Sequence, residues 1–166
     1  MIRPVSPDDA AVICDIYNYY IENSIASFEE TPVRAAEMEE RIRKITAMYP
    51  YLVLEEAGGA GVSEINGYAY VNKWRERSAY RYAAEVSIYV RDGLQSRGMG
   101  RKLMEKLLEE VRKTNIHTLV AGIVLPNHRS AALFEKFGFK KIGQFLEIGY
   151  KFDRWHDVAY WELRLP

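Results

Sequence analysis

The stretch that most constrains this chain runs from Val86 to Leu103. Val86, Ile88 and Val90 alternate with Ser87 and Tyr89, the period of two that a strand requires. Gly98 and Gly100 then open a segment whose apolar residues, Leu103, Met104, Leu107, Leu108 and Val111, recur at helical spacing. The order is strand, glycine-bearing turn, helix. A helix start leaves several backbone N–H groups unpaired. These attract an anion, and glycines let a phosphate come close. A phosphate or pyrophosphate site is therefore expected at residues 95–101.

The kind of site is narrowed by what is missing. Gly98-Met99-Gly100-Arg101-Lys102-Leu103 lacks the third glycine of a dinucleotide fingerprint, and Gly-x-x-x-x-Gly-Lys-Ser/Thr does not occur, so neither an NAD turn nor a P-loop is expected. What remains is Gln95-x-x-Gly98-x-Gly100 after a Val-rich strand. Standing alone, the same stretch also reads as an ordinary strand-to-helix turn.

At 166 residues and 48% hydrophobic, the chain is expected to form one domain, 1–166, with a full core. Its 23 Lys and Arg balance 23 Asp and Glu, which argues against a nucleic-acid or polybasic membrane binder. Arg97, Arg101 and Lys102 nevertheless make a local basic patch where the phosphates are expected. No window is apolar enough for a membrane span and residues at the N-terminus lack a charged-then-apolar pattern, so neither a span nor a signal segment is expected. The single cysteine, Cys14, excludes an internal disulfide and suits a reducing cytosol, where a lone thiol is most simply a small core residue.

Taken in order, residues 2–5 read as a strand, and Ser6-Pro7-Asp8-Asp9 as a capped helix start. A helix follows to about Asn23-Ser24, and a second runs from about Arg34 to Ala47. Ser27 to Pro32 is the loop between them. Strands are expected at Tyr51–Glu55, Ile65–Lys73 and Tyr82–Val90, with Ala57 to Gly61 as a hairpin loop. The helix from Gly98 should reach about Thr114, with a Glu109–Lys113 pair on its outer side. A strand at His117–Val124, a short helix at Ser130–Phe137 and closing strands at Phe139–Leu146 and Trp155–Leu165 complete the chain. The order β-α-α-β-β-β-α-β-α-β-β is a mixed α/β fold. The crossover from 82 to 124 should be right-handed and parallel, with any ligand at the carboxyl ends of its strands, beside Val90.

Three motifs carry a resemblance. Gln95-x-x-Gly98-x-Gly100 resembles the acetyl-CoA turn of the GNAT N-acetyltransferases. Asn127-x-x-Ser130-Ala131-x-x-Phe134-Glu135-x-x-Gly138-Phe139 resembles the second signature of that superfamily, the helix beside the pantetheine arm. Ser27-Phe28-Glu29, Tyr80 to Val90 and Trp155-His156-Asp157-Val158 resemble the phosphinothricin and methionine-sulfoximine acetyltransferases within it. The likeness spans nearly the whole chain. It implies the GNAT fold and acetyl-CoA as co-substrate without a metal. It also implies transfer of acetyl to an amino-acid amine, small-molecule substrates and a homodimer with sites near the interface. The rival activities are acetylation of a peptide or protein amine, and a non-catalytic acyl-CoA-binding module.

The resemblance also assigns residues. Two parallel strands would splay near Val90, with Ile88, Tyr89 and Val90 offering backbone groups to the pantetheine and thioester. Amides of Gln95, Ser96, Arg97, Gly98, Met99, Gly100 and Arg101 would hold the pyrophosphate. Asn127 would bond the pantetheine or sulfur region, and Lys136 a phosphate; by pattern alone Lys136 is also a solvated helix lysine. Glu85 would be the general base, directly or through a water; its pattern alone equally suits a strand-face partner for Arg75, Arg77 or Arg81. Arg75 and Arg77 would grip a carboxylate, Phe28, Trp74 and Tyr82 would line the side-chain pocket, and Glu29 would meet the amine. One departure stands out. Many GNAT enzymes carry a tyrosine as acid where this chain has Phe134, so no general acid is assigned. His117, His128 and His156 lack metal-ligand spacing.

Overall fold

The computed structural model of the chain describes residues 1–58 and 63–166. Residues 59–61 of the expected glycine-rich hairpin loop lie outside the described residues. The elements are β1 (Ile2–Pro4), a 3-10 turn (Pro7–Asp9), α1 (Ala10–Asn23), α2 (Ala35–Thr46), β2 (Tyr51–Ala57) and β3 (Ser63–Lys73). A second 3-10 turn (Ser78–Tyr80) precedes β4 (Ala83–Val90), α3 (Met99–Val111), β5 (Thr118–Val124), α4 (His128–Lys136), β6 (Lys140–Lys151) and β7 (Arg154–Arg164). The expected order of elements is the observed one. Among the described residues no helix is long and apolar enough to cross a membrane.

The seven strands form one sheet in the order β1-β2-β3-β4-β5-β7-β6. Strand alternation sorts the core onto its two faces. Leu52, Leu54, Ala69, Val71, Ala84 and Val86 pack with Leu103, Met104, Leu107 and Val111 of α3 and with Phe134 of α4. Tyr51, Val53, Ile65 and Tyr68 pack on the opposite face with Ile13, Cys14 and Ile16 of α1 and Met38 and Ile42 of α2. Cys14 is accordingly buried, with Sγ 2.7 Å from the Val33 carbonyl oxygen. Ser6 and Asp9 form a reciprocal capping box ahead of α1. Arg3 then ties β1 to Asp9 at 2.7 Å and to Glu55 of β2.

The decisive register lies at the centre of the sheet. β4 and β5 pair in parallel only over Ala83–Glu85 against Thr118–Val120. Beyond that, β4 stays with β3 as far as Val90, while β5 stays with β7 as far as Val124. The two parallel strands therefore part after Glu85, and their facing edges carry backbone groups that no neighbouring strand takes up.

Three expectations need correcting. β6 does not end at Leu146 but runs to Lys151. Its register against β7 shifts between Phe145 and Gly149, with Glu147 at φ 48. This bulge breaks the period of two that marks a strand in the sequence. Asp157 pins it, accepting from the Glu147 N–H and from Gln144 Nε2, each at 2.8 Å. On α3 the expected Glu109–Lys113 pair does not form: Glu109 pairs with Lys106 at 2.7 Å and Lys113 with Glu110 at 2.8 Å, so each is engaged by another neighbour. Finally, α4 starts at His128, two residues early, because Asn127 Oδ1 accepts the Ser130 N–H at 3.1 Å and caps it.

Candidate active site

The parting of β4 and β5 opens a cleft of about 630 Å³. Val86 to Val90 form one wall; Gly122, Ile123 and Val124 of β5 form the other. The start of α3 and the face of α4 close it. Of the residues expected to meet the cofactor, Ile88, Tyr89, Val90, Gln95, Ser96, Gly98, Gly100, Arg101, Asn127 and Lys136 line this cleft. Met99 instead turns into the core, 4% exposed, and Arg97 lies exposed on the turn.

The turn ahead of α3 is shaped by backbone conformation. Ser96 has φ 66 and Gly98 has φ 79, a left-handed geometry that glycine adopts without strain. Gly98 is the N-cap of α3 and brings no side chain to the helix end. The first ladder bond there runs from the Lys102 N–H to the Gly98 carbonyl at 3.0 Å. The N–H groups of Met99, Gly100 and Arg101 thus precede any partner within the helix, and the positive end of the helix dipole reinforces them. Gly100 also lets α4 approach, since a Cβ there would meet Leu133 Cδ2 at 3.2 Å.

Tyr20 of α1 was not legible as a site residue. Its hydroxyl donates to the Val90 carbonyl at 2.5 Å and accepts from Gln95 Nε2 at 3.1 Å. Gln95 Nε2 also reaches Asp92 Oδ1 at 3.1 Å. One phenol thus joins α1, the end of β4 and the turn. Arg129 likewise lines the cleft, adding to Arg101 and Lys136 a positive rim suited to phosphates. Phe134 is buried and packs edge-to-face with Phe139 at 5.0 Å, so the position expected to offer an acid presents a hydrocarbon ring to the cleft.

Glu85 sits at the last step at which β4 pairs with β5 and does not line the cleft. Gly122 joins the two compartments. It lines the cleft, yet a Cβ on it would lie 3.3 Å from Glu85 Oε1 and 3.1 Å from Tyr160 Cε1. A glycine inside a strand often marks such a close approach, and this was the available signal for Gly122. Burial raises the Glu85 carboxyl above the usual carboxylate range, and the Arg75 guanidinium pulls in the opposite direction. Tyr160 is raised by burial and by Glu85, again with Arg75 opposing. Its ring meets Trp74 edge-to-face at 5.6 Å and Phe145 at 5.8 Å. Arg75 lies over the Trp74 ring at 4.8 Å. The structure therefore brings together Glu85, Trp74 and Arg75 from the expected set, and adds Tyr160 and Phe145.

The remaining expected residues are dispersed. Glu29 takes both nitrogens of Arg41, at 2.6 and 3.0 Å, and the Tyr17 hydroxyl at 2.8 Å. Arg41 lowers its carboxyl, and its oxygens are committed within the fold. Phe28 lies beside His156, with ring centroids 6.2 Å apart. Tyr82 is exposed under the Arg81 guanidinium at 4.5 Å. Arg77 is exposed at the start of the second 3-10 turn.

Comparison with known proteins agrees with this geometry. The sequence model of the acetyltransferase (GNAT) domain matches residues 2–160. Phosphinothricin N-acetyltransferase of Streptomyces viridochromogenes is 35% identical over 97% of this chain and 85% of its own length. The L-methionine sulfoximine/L-methionine sulfone acetyltransferase of Salmonella typhimurium is 34% identical over 99% of this chain and 94% of its own. A GNAT superfamily phosphinothricin acetyltransferase from Sinorhizobium meliloti, in complex with acetyl-CoA, superposes with a TM-score of 0.92 at 32% identity, covering 99% of this chain and 88% of that one. A splayed parallel strand pair, a glycine-opened helix start facing it and a full-length match to the domain lead to one assignment: this chain belongs to the GNAT acetyltransferase family.

Proposed function

We propose that the protein transfers the acetyl group of acetyl-CoA to the α-amine of an amino acid or amino-acid analogue, of the methionine sulfone, methionine sulfoximine or phosphinothricin type. The observation that carries this reading is Gly122, which opens the cofactor cleft onto the Glu85 carboxylate. Acetyl-CoA supplies an activated thioester. The edge of Ile88, Tyr89 and Val90 that faces β5 holds the pantetheine, and the amides of residues 95–101 hold the pyrophosphate. Asn127, with Oδ1 spent on its cap, keeps its amide N–H groups for the pantetheine, and Lys136 serves a phosphate.

An ammonium group has no lone pair, so a proton must leave before attack. Glu85, its pKa raised by burial, receives it in its ionised form, directly or through a water. A backbone N–H near Tyr89 or Val90 would supply a donor for the charge that develops on the acyl oxygen. The leaving thiolate has an ordinary pKa near 8.5, so it departs with less acid assistance than an alkoxide needs, and Phe134 is compatible with that. On the amine side, Trp74 and Tyr160 form an apolar wall. Arg75 stacks by its face and so keeps its N–H edges for a carboxylate. A free thiol should appear from acetyl-CoA with at least one of these three analogues in an amino-acid panel. No release with any of them sinks the amino-acid reading.

We also propose a homodimer built on β6. This edge strand and the start of β7 expose Ile142, Phe145, Leu146, Ile148, Tyr150 and Trp155, each more than half accessible. A free strand edge with this much contiguous apolar surface matches itself about a two-fold axis. Ile148→Asp should convert a particle of two-chain mass to one-chain mass in sedimentation; a wild type already at one-chain mass rejects the dimer. The single buried thiol, Cys14, supports a cytosolic setting.

A further inference from the structure

The pocket described above leaves one buried charge without a role. Lys151, at the end of β6, is only 2% exposed. Its Nζ donates to the carbonyl oxygens of Ile21 at 2.7 Å, Ser24 at 2.9 Å and Ser27 at 2.8 Å. An ammonium has three donors and no acceptor, so these three carbonyls satisfy it completely. They belong to the last turn of α1 and to the loop that delivers Phe28. A helix C-terminus, with its unpaired carbonyls and negative dipole end, is where a cation is favoured. Burial still pulls the ammonium pKa down, with the Glu30 carboxylate resisting.

A second contact converges on the same loop. The bulge pinned by Asp157 sets the phase of β6 so that Gly149 and Lys151, two residues apart, share a face. A Cβ on Gly149 would lie 2.1 Å from Phe28 Cε2 and 2.3 Å from Cζ, and its three nearest atoms all belong to Phe28. His156, which pairs with Gly149 across the strands, donates from Nε2 to the Lys151 carbonyl at 2.9 Å and flanks the Phe28 ring. Phe28 is 38% exposed, so its ring has room to swing outward if pushed.

We propose that Lys151 and Gly149 are positioning residues, a clasp by which the β6–β7 hairpin fixes Phe28 and thereby sets which amines the enzyme accepts. This rests on the reading, taken from the sequence resemblance, that Phe28 borders the amine pocket; its loop reaches the cleft at Ala26, two residues earlier. Lys151 holds the loop's backbone, and the missing side chain at 149 gives the ring its seat. Neither residue lines the acetyl-CoA cleft.

Gly149→Ala should displace the Phe28 ring. The expected result is an acceptor KM altered about tenfold, the scale of one lost packing contact. The order of preference among acceptor side chains should change, while the KM for acetyl-CoA stays put. Lys151→Met replaces the ammonium with an apolar chain of similar length. It should speed amide hydrogen exchange in residues 24–29 of the full chain, leaving the β2–β3 pair protected. If Lys151→Met does not fold, Gly149→Ala decides alone. Unchanged acceptor KM and preference in Gly149→Ala, or unchanged exchange at 24–29 in folded Lys151→Met, overturns the clasp. A wild type that acetylates no acceptor removes the amino-acid reading instead, and the exchange measurement still decides whether Lys151 holds the loop.

Discussion

Replacing Glu85 with glutamine is expected to lower turnover by about 10²–10⁴-fold, the usual contribution of a positioned proton acceptor, while leaving acetyl-CoA affinity nearly unchanged. The split follows from the geometry. Glu85 approaches the cleft only through the gap left by Gly122 and does not line it, so the amide should not disturb cofactor contacts. Turnover is read by thiol release and affinity by calorimetry. The pH profile gives an independent reading. A base must be ionised to act, and burial raises the Glu85 pKa. The wild-type rate should therefore fall as pH drops through that raised value, and the variant should lose this limb.

Stability separates chemistry from misfolding. In the unfolded chain Glu85 ionises near its ordinary value of 4.5; in the folded protein it ionises higher. The ionised form therefore costs stability as pH rises from the ordinary value through the folded one. At neutral pH, removing that charge should leave the melting temperature equal or higher. A variant that melts normally and turns over normally would remove Glu85 from the mechanism.

Gly98→Val is expected to weaken acetyl-CoA binding by at least about tenfold. Gly98 holds φ 79, a conformation costing an L-residue about 1–2 kcal/mol, and a β-branched side chain tolerates it poorly. Among the described residues, and apart from its own chain neighbours, nothing lies within 4 Å of where its Cβ would be, so the side chain would project into open space, where a phosphate would approach. Two effects are thus combined, and Gly98→Asn divides them, because asparagine adopts the left-handed region more readily. The asparagine variant should keep the melting temperature close to wild type and show the smaller loss of affinity. Acetyl-CoA affinity unchanged in the valine variant would refute the placement of the pyrophosphate.

Much of this site was legible in the sequence because its parts are local. The strand–turn–helix from Val86 to Leu103 is written in a period of two, two glycines and a helical stripe, and each acts within a few residues of itself. The capped start at Asn127 is local as well. Glu29 shows where such reading fails. Its neighbours suggest a loop acid free to meet an amine, but Arg41, twelve residues on, takes both of its oxygens. Tyr20 fails for the same reason in reverse: in the sequence it is one of an apolar helix stripe, and only packing brings its hydroxyl to Val90. Tyr160 and Phe145 come beside Trp74 and Glu85 only because β7 lies between β5 and β6.

The sequence by itself determined the order and kind of the elements, the glycine-opened helix start and the family likeness. These depend on backbone preference and hydrophobic period, which act over short distances. Tertiary structure alone decided where β4 and β5 part, that Gly122 joins the cleft to Glu85, and that the bulge at Phe145–Gly149 turns Gly149 and Lys151 toward α1. Each of these is a matter of register between strands distant in the chain. Register is set by the summed packing of both sheet faces, a quantity that no single segment carries.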